Sequence, residues 1–385
     1  MAKKILRITG FIVLFAAIGF FVLVPGYIDR KMNKTIHSGP VPKIVWYDSI
    51  PFIADMHCDA LLWDRDLLKK TTTGHVDIVR MQQANEAFQV FTIVSKTPRG
   101  INIEKNTDET DNVALLSFAQ LRAPSDWFSM KSRALHQCEV LQKTADRSNG
   151  IFRVIRSKMD LEKFIADRAK DHNLTAGMLG LEGAHCLEKD VANLDAFYEA
   201  GVRYIGLTHF FDNEWGGSAH GVNKGGLTEK GKELLKKMIE KKVIIDLAHA
   251  SPALIDDILA NSNVPIIVSH TGVKGVCDNV RNLTDKHLLE IGRRNGLVSI
   301  GLWETAVCGT DATATAKSIR YVVDKIGIDK VALGSDFDGA IEASYDVTGF
   351  PAIVDALLKV GFDRPSIEKI MGGNIRDFLL RNLPE

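Results

Sequence analysis

Pro51-Phe52-Ile53-Ala54-Asp55-Met56-His57-Cys58-Asp59 is a short, largely apolar run that stops on a histidine and an aspartate two residues apart. Side chains alternate along an extended strand, so His57 and Asp59 point the same way at its end, where an imidazole and a carboxylate can grip one divalent ion. A single His-x-Asp is commonplace at a solvated strand end. This one gains weight because later apolar runs of the chain end in the same manner.

Those runs cover residues 88–95, 176–182, 202–209, 243–249, 265–270, 297–303 and 331–336, and with the opening one they make eight. Amphipathic stretches separate them. In 228–242, for example, Leu234, Leu235, Met238 and Ile239 fall on one helical face, and 251–260, 284–294 and 314–326 read the same way. Almost wholly apolar strands alternating with helices imply a parallel sheet covered on its faces, and eight such units predict an α/β fold, a closed (β/α)₈ TIM-type barrel. The structural alternative is an open doubly wound sheet, but no Gly-rich dinucleotide fingerprint follows any of the runs. Residues 102–171 carry extra helical patterns over 113–122, 130–146 and 161–169 and read as a helical insertion between the second and third barrel strands. Residues 365–383 read as a closing helix with a bend at Gly372-Gly373.

A barrel of this kind carries its site at the C-terminal ends of the strands. The runs close there on His57 and Asp59, Glu182, His209, His249, His270 and Asp336. Desolvating so many titratable groups on one rim without a metal would be very costly. Several histidines with carboxylates suit a zinc-type ion, and the donors outnumber the needs of one tetrahedral site, so two ions are expected. Glu182 is the natural bridge, since Gly183 lets the backbone approach closely. His185 reads as lying outside the site, and Asp338 as a turn former.

The 385 residues are 45% apolar, ample for a large core, and 48 basic residues balance 48 acidic ones. No net field therefore draws the chain to nucleic acid. Five cysteines, an odd number without Cys-x-x-Cys spacing, read as free thiols rather than a zinc ribbon or a disulfide framework. Residues 8–28 form an uncharged run of 21, preceded by Lys3, Lys4 and Arg7. At about 1.5 Å per residue it would cross the ~30 Å hydrocarbon core of a bilayer. The expectation is an uncleaved signal anchor, one transmembrane helix with its N-terminus in the cytoplasm and the rest of the chain beyond the cell membrane. The alternative is a cleaved signal peptide and a secreted enzyme. Residues 1–28 then form the stub and anchor, 29–49, with Gly39-Pro40-Val41-Pro42, a linker, and 50–385 the barrel domain.

Taken together, Asp-Met-His57-Cys-Asp59, Gly-His75-Val-Asp77, Gly-Leu-Glu182-Gly, Leu-Thr-His209, Ile-Asp-Leu-Ala-His249-Ala-Ser, Val-Ser-His270-Thr, Arg281-Asn and Gly-Ser-Asp336-Phe-Asp-Gly are highly specific. From about residue 52 to residue 383 the sequence resembles the renal (membrane) dipeptidases, the zinc dipeptidases of peptidase family M19 in the amidohydrolase superfamily. The resemblance implies two Zn²⁺ per chain, other divalent ions being alternatives: one held by His57, Asp59 and Glu182, the second by His249, His270 and the same Glu182. It also implies that His209 touches the scissile carbonyl, that Arg281 binds the substrate's free carboxylate, and that Asp336 handles the proton of a metal-bridging water. The implied reaction is attack of that water on the peptide bond of a dipeptide, including one with a C-terminal D-residue, and the implied assembly is a homodimer. Alternatives on the same barrel are N-acyl amino acid deacylation, lactone hydrolysis and a non-catalytic surface binding protein. Two stretches depart from the family pattern: Gly301-Leu302-Trp303-Glu304 stands where an asparagine–aromatic pair is usual, and the insertion from Asn102 has no close match.

Overall fold

The structure is a computed structural model that describes residues 2–36 and 39–385, apart from the side chains at positions 2, 12, 13, 16 and 17. Its strands are β1 (Lys34–Thr35), β2 (Ile53–Cys58), β3 (Glu86–Val94), β4 (Phe152–Val154), β5 (Thr175–Glu182), β6 (Val202–Gly206), β7 (Ile244–Asp246), β8 (Ile266–Thr271), β9 (Leu297–Ile300), β10 (Val331–Leu333) and β11 (Glu342–Ala343). Eight of them run side by side in the order β10-β9-β8-β7-β6-β5-β3-β2, every neighbouring pair parallel. The eight apolar runs of the sequence supply these strands. Closure between β2 and β10 is made by single contacts: Cys58 pairs with Phe337, the Asp59 amide donates to the Phe337 carbonyl at 2.9 Å, and the Ser335 amide donates to Asp55 at 2.7 Å. β4 adds a short parallel edge on the first residues of β5.

Helices cover the outside, and their ends follow from local chemistry. Thr228 caps Glu229–Glu240, its side chain accepting from the Gly231 amide, and the helix buries Leu234, Leu235 and Met238 against the barrel. Ser251, Thr284 and Asp311 cap Pro252–Asn261, Asp285–Arg293 and Ala312–Ile326 in the same way. A side-chain cap of this kind stabilises a helix by ~1 kcal/mol. The insertion contributes Asn112–Ala119, Pro124–Phe128, Met130–Arg147 and Lys158–Arg168. The closing segment is split by a wide turn at Lys369–Gly373, where a Cβ on Gly372 would meet the Phe52 carbonyl oxygen at 2.3 Å. Glycine there lets the helix press onto the floor of β2, with Ile375, Phe378 and Leu379 packed beside Phe52, Phe88 and Met178.

The N-terminal stretch forms one helix followed by a segment that docks on the barrel. The uncharged run lies within one helix, Ala2–Met32, yet among the described residues no helix is long and apolar enough to cross a membrane. Four apolar positions in the middle of that run, 12, 13, 16 and 17, have side chains outside the described ones. The described part of the expected linker also does not hang free. β1 pairs with β11, Asp29 faces Arg65 at 3.2 Å, and Ile28 packs against the cluster of Leu62, Trp63 and Val113.

The cysteines differ from their expectation. Cys277 and Cys308 form a disulfide across 31 residues, while Cys58, Cys138 and Cys186 are free and buried. Spacing gave no sign of the bridge, because it joins the loops that follow two neighbouring strands, β8 and β9.

Candidate active site

Six of the eight barrel strands, β2, β5, β6, β7, β8 and β10, deliver a side chain from their C-terminal end or the residues just after it to one rim. Glu182, at the end of β5, sits in the middle: its Oε1 lies 3.0 Å from His249 Nε2, 3.3 Å from His270 Nε2 and 3.5 Å from His57 Nε2. His57 Nε2 is also 3.5 Å from Asp59 Oδ1 and 3.8 Å from Asp336 Oδ1, and His209 Nε2 is 3.4 Å from Glu182 Oε2. The donors fall into three overlapping groups, His57–Glu182–His270, Glu182–His209–His249 and His57–Asp59–Asp336. All the ligands read from the sequence thus come together, with His209 and Asp336 beside them. His249 and Asp336 reach the rim on left-handed backbone, φ 62° at each, a conformation that is costly for residues other than glycine and tends to collect at functional positions.

The donor set fits divalent ions. The Nε2 atoms of His249 and His270 stand 3.0 Å apart, close to the ~3.3 Å between two nitrogen ligands of one tetrahedral ion. His57 Nε2 and Glu182 Oε2 are buried without a hydrogen-bond partner. Burial, aided by neighbouring cationic groups, holds His209, His249 and His270 well below the usual histidine range, so they are neutral, the state in which imidazole binds a metal. Burial and the nearby Asp59 push Glu182 up to about 7, and burial pushes Asp336 well above the carboxylate range. Burial works against a charged His57, but the Glu182 and Asp59 carboxylates outweigh it and hold the group well above its ordinary value. A bound cation would add positive charge that favours the ionised form of these closely packed carboxylates.

Arg281 forms the next wall. Its Nη2 donates to the His270 carbonyl at 2.6 Å and its Nη1 to Thr271 Oγ1 at 3.4 Å. The guanidinium is buried, and among the described residues no carboxylate lies within 4 Å of it. Trp303, from the stretch that departs from the family pattern, stands 5.9 Å from the guanidinium and 5.7 Å from the His270 ring. Gly301 makes room for that indole, since a Cβ there would lie 2.0 Å from it. The Cys277–Cys308 bridge joins the Arg281 loop to the segment behind Trp303.

Several supporting residues were not singled out from the sequence. Thr92 hydrogen-bonds Asp59 through its hydroxyl. Asp246 binds Ser269, which lies beside both His57 and His270. The available signal was adjacency, Asp246 three residues before His249 and Ser269 directly before His270, but polar residues there could equally face a helix. Asp338, read as a turn former, is fully buried: it accepts from the His75 amide at 2.7 Å and pairs with Arg65 at 2.9 Å. His185 lies outside the donor groups, as expected, buried with neither ring nitrogen hydrogen-bonded.

The profile of the membrane dipeptidases, peptidase family M19, matches residues 49–379. The chain belongs to that family. It is accordingly a metal-dependent hydrolase of the dipeptidase class. Dipeptidase tcpJ of Claviceps purpurea (strain 20.1) is 28% identical over 339 residues, 86% of this chain and 73% of that protein. Mouse (Mus musculus) dipeptidase 3 is 30% identical over 223 residues, 54% of this chain but only 45% of its own length. Among solved structures, the M19 metallopeptidase dipeptidase AC superposes with a TM-score of 0.70 at 25% identity, covering 87% of this chain and 99% of that one. A metallopeptidase from Rhodobacter sphaeroides, liganded with a phosphinate mimic of the dipeptide L-Ala-D-Ala, has the same TM-score and identity and covers 86% and 99%.

Proposed function

We propose that this M19 enzyme works with two zinc-type ions and cleaves dipeptides, those with a C-terminal D-residue included. The observation that carries the two-ion reading is Glu182 itself, a single carboxylate whose Oε1 lies within 3.5 Å of His57, His249 and His270, more donors than one tetrahedral ion takes once Asp59 is added. His57 and Asp59 would hold one ion and His249 and His270 the other, with Glu182 shared. Such a pair supplies a nucleophilic water near neutral pH and polarises the carbonyl under attack.

The chain's own groups do the rest. Arg281, buried and without a carboxylate of its own, offers a planar fork to the free carboxylate of the C-terminal residue, which restricts the site to short substrates. His209 steadies the carbonyl oxygen as charge develops on it. Asp336, whose burial favours the protonated form, is suited to hold a proton and pass it to the leaving amine. The Rhodobacter relative's L-Ala-D-Ala mimic supports extending the substrate range to a D-residue. N-acyl amino acids carry the same carboxylate for Arg281 and form the second reading.

We further propose that residues 1–28 anchor the enzyme in the cell membrane, with the barrel on the extracytoplasmic side. The uncharged run 8–28 and the exposure of Phe11, Leu14, Phe15, Ile18, Val22 and Leu23 on its helix support this, and carbonate-resistant membrane association would test it. For the activity, the test is hydrolysis of L,L- and L,D-dipeptides set against N-acyl amino acids and lactones. Preferred cleavage of dipeptides is expected, and turnover of lactones alone would overturn the assignment.

A further inference from the structure

The second layer behind the two proposed ions converges on one hydroxyl. Ser269 Oγ lies 2.6 Å from Asp246 Oδ2, 2.9 Å from His270 Nδ1 and 3.3 Å from His57 Nδ1. The other oxygen of Asp246 accepts the Ala248 amide at 3.0 Å and the Ser269 amide at 2.9 Å, which fixes the carboxylate across the ends of β7 and β8. Asp246, Ser269, His57 and His270 are all buried. Water therefore does not compete for these bonds.

A hydroxyl has one proton and two lone pairs. The carboxylate takes the proton, so the lone pairs remain for the Nδ1–H groups of the two imidazoles. Tyr204 reinforces the assignment at His57: its hydroxyl donates to the Met56 carbonyl at 3.0 Å and so faces His57 Nδ1, 3.3 Å away, as an acceptor too. Gly180 is the residue that admits this phenol, since a Cβ there would lie 2.3 Å from its ring. With Nδ1 of both rings turned to the hydroxyl, the Nε2 edges of both face Glu182, which leaves Nε2 as the position each ring gives up to a metal when neutral. Their ring centroids are only 3.7 Å apart, so one imidazole cannot turn without disturbing the other.

We propose that Ser269, held by Asp246, is a positioning residue that sets the tautomers of His57 and His270 together and thereby couples the two metal positions. This rests on the two-ion reading for its second half only. The first half, the shared tautomer, is a property of the protein without metal.

Two measurements separate the halves. In metal-free wild-type protein, at a pH high enough for both rings to be neutral, nitrogen-15 NMR of the histidine rings should place the single proton on Nδ1 in both His57 and His270. An Nε2–H tautomer in either ring would overturn the proposal whether or not any variant folds. Chelator-competition titrations of Ser269→Ala should then show the affinity for both ions falling by about 10–100-fold, the usual cost of losing a second-layer partner. Ser269→Thr, which keeps the hydroxyl, should restore both, and Tyr204→Phe should weaken only the position that uses His57. Wild-type affinity at either position in Ser269→Ala would overturn the coupling. A wild-type protein that binds a single ion would instead sink the two-ion reading and the coupling with it, while leaving the tautomer assignment to the NMR result.

Discussion

Arg281 donates through Nη2 to the main-chain carbonyl of His270 at 2.6 Å, so the group proposed to bind substrate hangs from the peptide unit of a proposed metal ligand. The distance between the metal position and the carboxylate position is thereby set by one residue of β8 and its own backbone. A dipeptide, whose carboxylate lies a fixed number of bonds from its scissile carbonyl, is a substrate that such a short, rigid spacing can measure.

Replacing Arg281 by alanine should weaken transition-state binding of free dipeptides by ~2–5 kcal/mol, the loss expected when a desolvated charge pair keeps only one member. Metal content should not change. Amidated dipeptides should be poor substrates of the wild type and lose little more in Arg281→Ala, because both changes remove one interaction. Steady-state kinetics on the four combinations check this. Equal cleavage of free and amidated dipeptides by the wild type would rule out the carboxylate anchor.

The Cys277–Cys308 bridge closes a loop of 31 residues that contains Arg281. Chain entropy alone assigns such a cross-link up to ~4 kcal/mol of stability. Cys308→Ser should therefore lower the melting temperature, and it should raise KM for dipeptides more than it lowers kcat, because the loop carrying the carboxylate fork gains freedom. A change in stability with an unaltered KM would mean that the bridge serves only the fold.

Much of this was legible in the sequence for a simple physical reason. Strands buried on both faces are mostly apolar, so imidazole and carboxylate groups at the ends of such runs mark the rim, and His57, Glu182, His249, His270 and Asp336 stand there. The supporting layer was hidden because it lies across strands: Ser269 acquires meaning only when β2 and β7 bring His57 and Asp246 to it. The disulfide was hidden for the same reason. The N-terminal helix marks the limit of hydropathy patterning, which registers an uncharged run but not the docking of its far end through Asp29 and Arg65.

Two buried histidines outside the metal groups give the metal-free protein a defined acid response. Burial, helped by nearby cations, holds His185 near a pKa of about 3, and burial with Arg281 holds His220 at about 4, against the ordinary 6.5. Below 6.5 the unfolded chain takes up protons that the folded chain refuses. Their neutral burial is thus free of this penalty above about pH 6.5, and stability falls as the pH drops toward 4, by up to ~1.4 kcal/mol per pH unit for each histidine. Urea midpoints of metal-free protein between pH 7 and 4 should show this slope, and His185→Phe should flatten it. An unchanged slope in His185→Phe would contradict the assignment.

The shared carboxylate of Glu182 is the centre of the proposed site, and metal stoichiometry tests it most directly. Elemental analysis of protein equilibrated with zinc and then freed of excess should give close to two ions per chain. Glu182→Ala, with its fold verified by circular dichroism, should lose both metal and dipeptidase activity. One ion or none in active wild-type protein, or two retained by Glu182→Ala, would contradict it.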